Sequence, residues 1–177
     1  MAESFVNSLT RAAGIVTTAT GGSIGVTTNT ITGISTAGIG VSDLVDNQNY
    51  IAGTIVESLG VGTAYVSRDS TNVVATSSQS LIFLGVTTAL TAADISILIG
   101  GTFANNTSNS VNLTVEAYDQ STAVGVAIAS KIPVPAGSSF VITDAGKTLL
   151  ETSDELRVYC DTANAIDVQL GILKGVN

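Results

Sequence analysis

Apolar and polar residues alternate with a period of two through much of this chain, most clearly in ISILIGGTFANNTSNSVNLTVEAYD at 95–119. Ile95, Ile97, Ile99 and Phe103 share one face of a first predicted strand, and Val111, Leu113, Val115 and Ala117 one face of a second. Ser96, Thr102, Asn112, Thr114 and Glu116 occupy the opposite faces. Successive side chains of a strand point to opposite sides of its sheet, so this pattern predicts a half-buried antiparallel hairpin closed by a polar Asn/Ser loop. Similar alternation places further strands near 80–86, 123–131, 138–143, 155–161 and 165–173. The reading is all-β: an antiparallel, jelly-roll-like β-sandwich of seven to eight strands over 80–177. Its expected core holds Ile97, Ile99, Phe103, Leu113, Val115, Leu156, Val158, Val168 and Leu170.

The N-terminal part reads differently. Residues 2–13 place Phe5, Val6, Leu9 and Ala13 at the spacing of a short amphipathic helix that ends at Gly14. So short a helix is marginal alone, and with the Gly/Thr-rich stretch after it the segment 1–28 is expected to be a docking arm. Phe5, Val6, Leu9, Ile15 and Val16 are its candidate partner-binding residues. Residues 29–79 then predict a small β subdomain, joined to the sandwich through NVVATSSQS at 72–80. Its core is thin, drawn from Ile31, Ile34, Ile39, Leu44, Val45, Val56 and Val66 with Val41, Ile51, Ile55 and Leu59.

Charge and composition narrow the function. The net charge is −8 and the six basic residues are scattered, which argues against binding nucleic acid through its phosphates. The chain has no histidine, so neither a Ser-His nor a Cys-His nucleophile can be assembled. Cys160, the single cysteine, has no intrachain disulfide partner and is expected to be a buried, reduced thiol. The densest carboxylates, Asp144, Glu151, Asp154 and Glu155, lack the alternating Asp/Asn ligands and Gly of a calcium loop and read as a solvated corner; Asp43 and Asp46 read likewise. Gly21-Gly22 and Gly100-Gly101 lack the lysine of a phosphate loop and read as turns and a strand bulge. Four tyrosines, Tyr50, Tyr65, Tyr118 and Tyr159, are the candidates for carbohydrate stacking; isolated tyrosines on strands more commonly pack across the sheet. The expectation is a non-enzymatic chain with no cofactor or metal, no secretory leader and no membrane-spanning run, made in a cytoplasm.

Three tracts carry a resemblance: ILIGGTFANNTSNSVNLTVEAYD, IPVPAGSSFVI and KTLLETSDELRVYCDTANAIDVQLGIL. Together they resemble a β-sandwich module of virion structural proteins of tailed bacteriophages, particularly those infecting marine cyanobacteria. The shared pattern is an "ANxT" loop, here Ala104-Asn105-Asn106-Thr107; a "PIPAGSS"-like turn, here Ile132 to Ser139; a "LEAGDxL" corner, here Leu150 to Leu156; and a final "SSVDVxLSxL" strand, here Ala165 to Leu173. The corner lacks the Gly of that pattern, and Asp161 to Asn164 replaces its Ser-rich turn. The resemblance implies a virion component present in many symmetric copies, made in the infected bacterium, with other virion proteins and its own copies as partners. Capsid decoration or cementing at the head surface is the first expectation; a neck, tail or fibre-adaptor protein is the alternative. A receptor- or carbohydrate-binding module is a second alternative.

Overall fold

The computed structural model describes residues 3–143 and 148–176, and they form fifteen strands and no helix. In chain order the strands are β1 (Ser4–Ala13), β2 (Ile15–Ile24), β3 (Thr30–Thr32), β4 (Leu44–Asp46), β5 (Val56–Gly60), β6 (Thr63–Val66), β7 (Thr76–Gly85) and β8 (Thr87–Thr91). They continue with β9 (Ser96–Asn105), β10 (Val111–Asp119), β11 (Val124–Val134), β12 (Ser139–Ile142), β13 (Thr148–Leu150), β14 (Glu155–Cys160) and β15 (Ile166–Lys174). The chain divides into two compact units, one made of Met1–Gly14 with Thr87–Asn177, the other of Ile15–Val86.

The first unit is an antiparallel β-sandwich. One sheet has the order β1-β15-β9-β12, with β13 also paired to β9; the other has the order β11-β10-β14-β8. Antiparallel pairs join β1 to β15, β8 to β14, β9 to β12 and β10 to β11, nesting the first strand with the last, the second with the next to last, and so inward. That is one long two-stranded ribbon. Rolling it up adds β15 beside β9 and β14 beside β10, which gives the jelly roll. Phe103, Leu113, Val115, Leu156, Val158, Val168 and Leu170 are buried between the sheets as expected. The Phe103 and Phe140 rings lie 6.0 Å apart.

Ile97 and Ile99 do not join that core. Gly171 pairs with Gly100 but Ile172 pairs with Leu98, so Ile99 is the extra residue of a bulge. The bulge reverses the alternation: Ser96 and Leu98 point inward before it, Gly101, Phe103 and Asn105 after it. Gly101 suits its inward position, since a Cβ there would press on Leu170 and Phe103.

The predicted helix over residues 2–13 is instead β1, paired to β15 from Ser4 to Ala13. Phe5 and Leu9 are four apart, a spacing shared by one helix face and one strand face. Ser4, Asn7, Ser8 and Thr10 are weak helix formers, and the sheet edge offered by β15 decides the outcome. The arm 1–28 is therefore not a separate body. β1 belongs to the sandwich and β2 to the second unit. The strand expected near 80–86 also leaves the sandwich: β7 pairs with β2 and β4, with Leu81 and Phe83 fully buried in the second unit's core. The sandwich resumes at Thr87. Pro133, beyond the end of the strand predicted near 123–131, lies within β11, where an edge position tolerates its missing N–H.

The second unit is a sheet of order β4-β7-β2-β3-β6-β5. A bridge between Leu44 and Ile55, with Val45 N donating to the Thr54 carbonyl at 2.8 Å and Val56 N to the Asp43 carbonyl at 2.9 Å, joins its ends and closes the sheet on itself. Closure satisfies both edges. The interior holds Ile24, Ile31, Val56, Val66, Leu81 and Phe83. The core is fuller than residues 29–79 alone would provide because β2 and β7 lie outside those bounds. Val41, Ile51 and Leu59, expected inside, are exposed.

Candidate interaction surface

The outer face of the β1-β15-β9 sheet carries apolar side chains in cross-strand rows. Phe5 stands opposite Leu173, Leu173 opposite Ile97, and Ile97 opposite Leu149, so four apolar residues cross four strands. Phe5 is 77% exposed and Leu149 58%, while Ile97 and Leu173 are half-buried by their neighbours. A second row runs Leu9, Gln169, Thr102 and Val141, with Leu9 74% exposed. Between them Asn7, Gly171 and Gly100 form a low floor. Beside the second row a shallow pocket of about 470 Å³ is lined by Leu9, Arg11, Thr102, Ala104, Asp167 and Gln169. Apolar side chains on a hydrogen-bonded sheet form a contact surface with little backbone entropy left to lose on docking.

The five sequence-predicted partner-binding residues do not share this face. Phe5 and Leu9 lie on it, whereas Val6 points to the other side of β1 and packs against the sandwich core. Ile15, 49% exposed, and Val16, half-buried, lie on β2 in the second unit. Alternation in sequence does not reveal Ile97, Leu149 and Leu173 as surface residues: it places the first in the core, and the rows arise from strand pairing between distant segments.

Three of the segments that carry the resemblance meet around Asn105, two of them at its buried side chain. Asn105, 2% exposed, donates from Nδ2 to the carbonyls of Asn109 (2.8 Å), Val134 (2.9 Å) and Pro135 (3.1 Å). Its Oδ1 accepts from Thr107 N and Thr107 Oγ1, both at 2.8 Å. The ANNT loop is thus tied to the IPVPAGSS turn. The backbone N of Asn105 donates to the Ser138 carbonyl at 2.9 Å, and that of Asn106 to the Ala165 carbonyl at 3.0 Å, where the last strand begins. Gly137, at φ 65°, makes the turn in a conformation open to glycine.

The remaining candidates resolve individually. Tyr159 is buried, and its hydroxyl donates to Glu116 Oε2 at 2.7 Å; burial, then that bond, raises its pKa. Tyr118 lies under the Arg157 guanidinium, 3.3 Å from the ring centroid, and Arg157 Nε donates to Glu155 Oε2 at 2.7 Å. Both tyrosines are held in cross-strand contacts. Tyr50 is buried in the second unit, where burial pushes its pKa up to about 12; Tyr65 is 43% exposed. Cys160 is buried, and burial raises its thiol pKa.

Of the carboxylate corner, Asp144 lies outside the described residues. Asp154 accepts from Glu151 N at 2.9 Å and Gln120 N at 3.1 Å, binding the corner to the β10–β11 turn. Asp43 is buried, with its carboxylate accepting from Gly40 N at 2.7 Å. Among the described residues no three His, Cys, Asp or Glu side chains group as metal ligands, and no helix is long and apolar enough to cross a membrane. No protein-family model matches the chain, and no curated protein or solved structure is detectably similar to it.

Proposed function

We propose that this chain is a structural component of a tailed-phage virion, made in the infected bacterium, that decorates or cements the head surface. Fold class alone assigns no function, since jelly rolls serve both capsid and lectin roles. The observation that carries the reading is the meeting of the ANNT loop, the IPVPAGSS turn and the start of the last strand around Asn105. The segments resembling phage virion proteins are in this way a mutually bonded framework rather than scattered turns. The exposed rows through Phe5, Ile97 and Leu149 supply a surface for other virion proteins, and such a role requires rigidity and contact area rather than reaction chemistry.

The test is to probe purified particles with antibodies against the chain and locate the label by electron microscopy, with peptide mass spectrometry of the same particles. Label over the head supports decoration. Label confined to the neck, tail or fibres moves the protein to the alternative position. Absence from particles overturns the proposal, and binding on a glycan array in that case returns the carbohydrate-binding reading.

A further inference from the structure

We infer that β1 is a homodimerisation edge, pairing antiparallel with β1 of a second copy about a two-fold axis at Asn7. The inference is independent of the virion assignment. Among the described residues β1 pairs with β15 alone, so no strand extends the ladder on its other side; the inward Ser8 Oγ and Thr10 Oγ1 donate to the Ala89 carbonyl of β8 and leave the outward side chains free. The other sandwich edges are blunted. β8 has five residues, β12 four and β13 three. β11 is long but carries Pro133, Lys131 in a left-handed conformation at φ 50°, and two register shifts against β10. β1 keeps regular register from Ser4 to Thr10 and bulges only beyond it.

The sequence of this edge is complementary to itself. With Asn7 on the axis, each residue faces the partner residue whose number makes the two sum to 14. Phe5 then faces Leu9 of the other copy, Glu3 faces Arg11, and Asn7 faces Asn7. Apolar meets apolar, acid meets base, and amide meets amide. Shifting the axis to Val6 sets Glu3 against Leu9, and shifting it to Ser8 sets Phe5 against Arg11, so this register is favoured over both neighbours. Arg11 lies on the same outer surface as Leu9, where both line the shallow pocket. Pairing also continues the apolar row: Leu149, Ile97, Leu173 and Phe5 of one copy run directly into Leu9 of the next. A two-fold contact of this kind is isologous and closes on itself, so it yields dimers rather than filaments.

Asn7→Cys tests the register directly. Residues facing each other across antiparallel strands have Cα atoms roughly 4.5–5.5 Å apart, within disulfide range. Mild oxidation should convert Asn7→Cys to a covalent dimer, and Phe5→Cys mixed with Leu9→Cys should cross-link where neither does alone; Cys160 is buried and does not compete. Sedimentation of the unmodified full chain should show a monomer–dimer equilibrium. Arg11→Glu should weaken it by about tenfold, and Glu3→Arg combined with Arg11→Glu should restore it. A chain that sediments as a monomer up to about 0.5 mM overturns the inference, as does a dimer unmoved by Leu9→Lys, a change at an exposed position that leaves the fold intact. Asn7→Cys cross-linking no faster than Ser4→Cys overturns the register.

Discussion

Replacing Asn105 by Ala removes every side-chain bond that ties the ANNT loop to the IPVPAGSS turn. The bond to the Val134 carbonyl is buried; its loss leaves that oxygen only the longer 3.3 Å bond from Ser110 Oγ, at a cost of about 0.5–1.5 kcal/mol. The bonds to Asn109, Pro135 and Thr107 are partly open to water, which replaces them at a loss of roughly 0.5–1 kcal/mol each, and Nδ2 has only two hydrogens to share among its three acceptors. The expected loss is about 2–4 kcal/mol, or roughly 10–20 °C in the melting temperature of a domain of this size. Since the second unit has its own core, the loss is read by hydrogen exchange in urea on peptides from β10 and β14. A loss under about 0.5 kcal/mol would show that the loop and turn are held by their backbone bonds alone.

Asn105→Asp sharpens the same test. A carboxylate keeps the acceptor for Thr107 but turns a second oxygen toward three carbonyl oxygens, so at pH 7 this variant should be less stable than Asn105→Ala. Its folded pKa is then raised above the unfolded value near 3.9. The penalty relative to the unsubstituted chain is therefore full above the folded pKa and shrinks as pH falls through it, when the protonated acid donates again. A penalty equal at pH 4 and pH 7 would refute the assignment of Nδ2 as donor.

Leu113→Ala should cost about 2–5 kcal/mol whereas Ile97→Ala should cost less than about 1.5, a contrast created by the bulge at Ile99 and measured by urea unfolding. Cys160 should react with a thiol reagent only as fast as the sandwich opens, since burial both shields the thiol and raises its pKa. Hydrogen bonds from Ser121 and Thr122 hold the Asp119 carboxylate down to about 2, so its stabilisation is present above the unfolded pKa near 3.8 and is lost as pH falls toward 2; Asp119→Asn should flatten that part of the stability profile. Gly14 N lies 3.3 Å from Thr87 Oγ1, so replacing residues 15–86 by a short Gly/Ser linker should leave a folded jelly roll, visible as retained amide dispersion by NMR.

Much of the sandwich was legible because strand periodicity survives in sequence wherever one face is buried: Phe103, Leu113, Val115, Leu156 and Val158 follow from alternation alone. Alternation identifies a strand without naming its partner, so β7 looks like a sandwich strand until its pairing with β2 is seen, and the four-residue spacing of Phe5 and Leu9 in β1 fits a helix face as well as a strand face. The reversal at Ile99 was marked by Gly100-Gly101, correctly read as a bulge, yet the consequence for Ile97 depends on which side of the bulge keeps the parity of the core. Asn105 was visible as a loop residue. Its role as a hub was hidden, because its acceptors at Val134 and Pro135 lie far along the chain and no local pattern reports them.

The nested pairing accounts for how the ribbon carries an inserted unit between its first two strands. Phe5 pairs with Leu173, so β1 is added only by closing a loop over almost the whole chain. Loop-closure entropy grows with the logarithm of length, about 0.6 kcal/mol per doubling, and even that applies to a flexible loop. The insert is folded, and its flanks return to the same place: Gly14 N meets Thr87 Oγ1, and the Gly14 carbonyl accepts from Asn164 N at 3.0 Å. Gly14 is fitted to this junction by its φ of 121° and by the Thr162 carbonyl, with which any Cβ would collide. The insert thus adds to the chain between β1 and β8 without lengthening the path the ribbon must close, whereas the same insertion in the β9–β10 loop would break the bonds that Asn105 makes to Thr107 and Asn109.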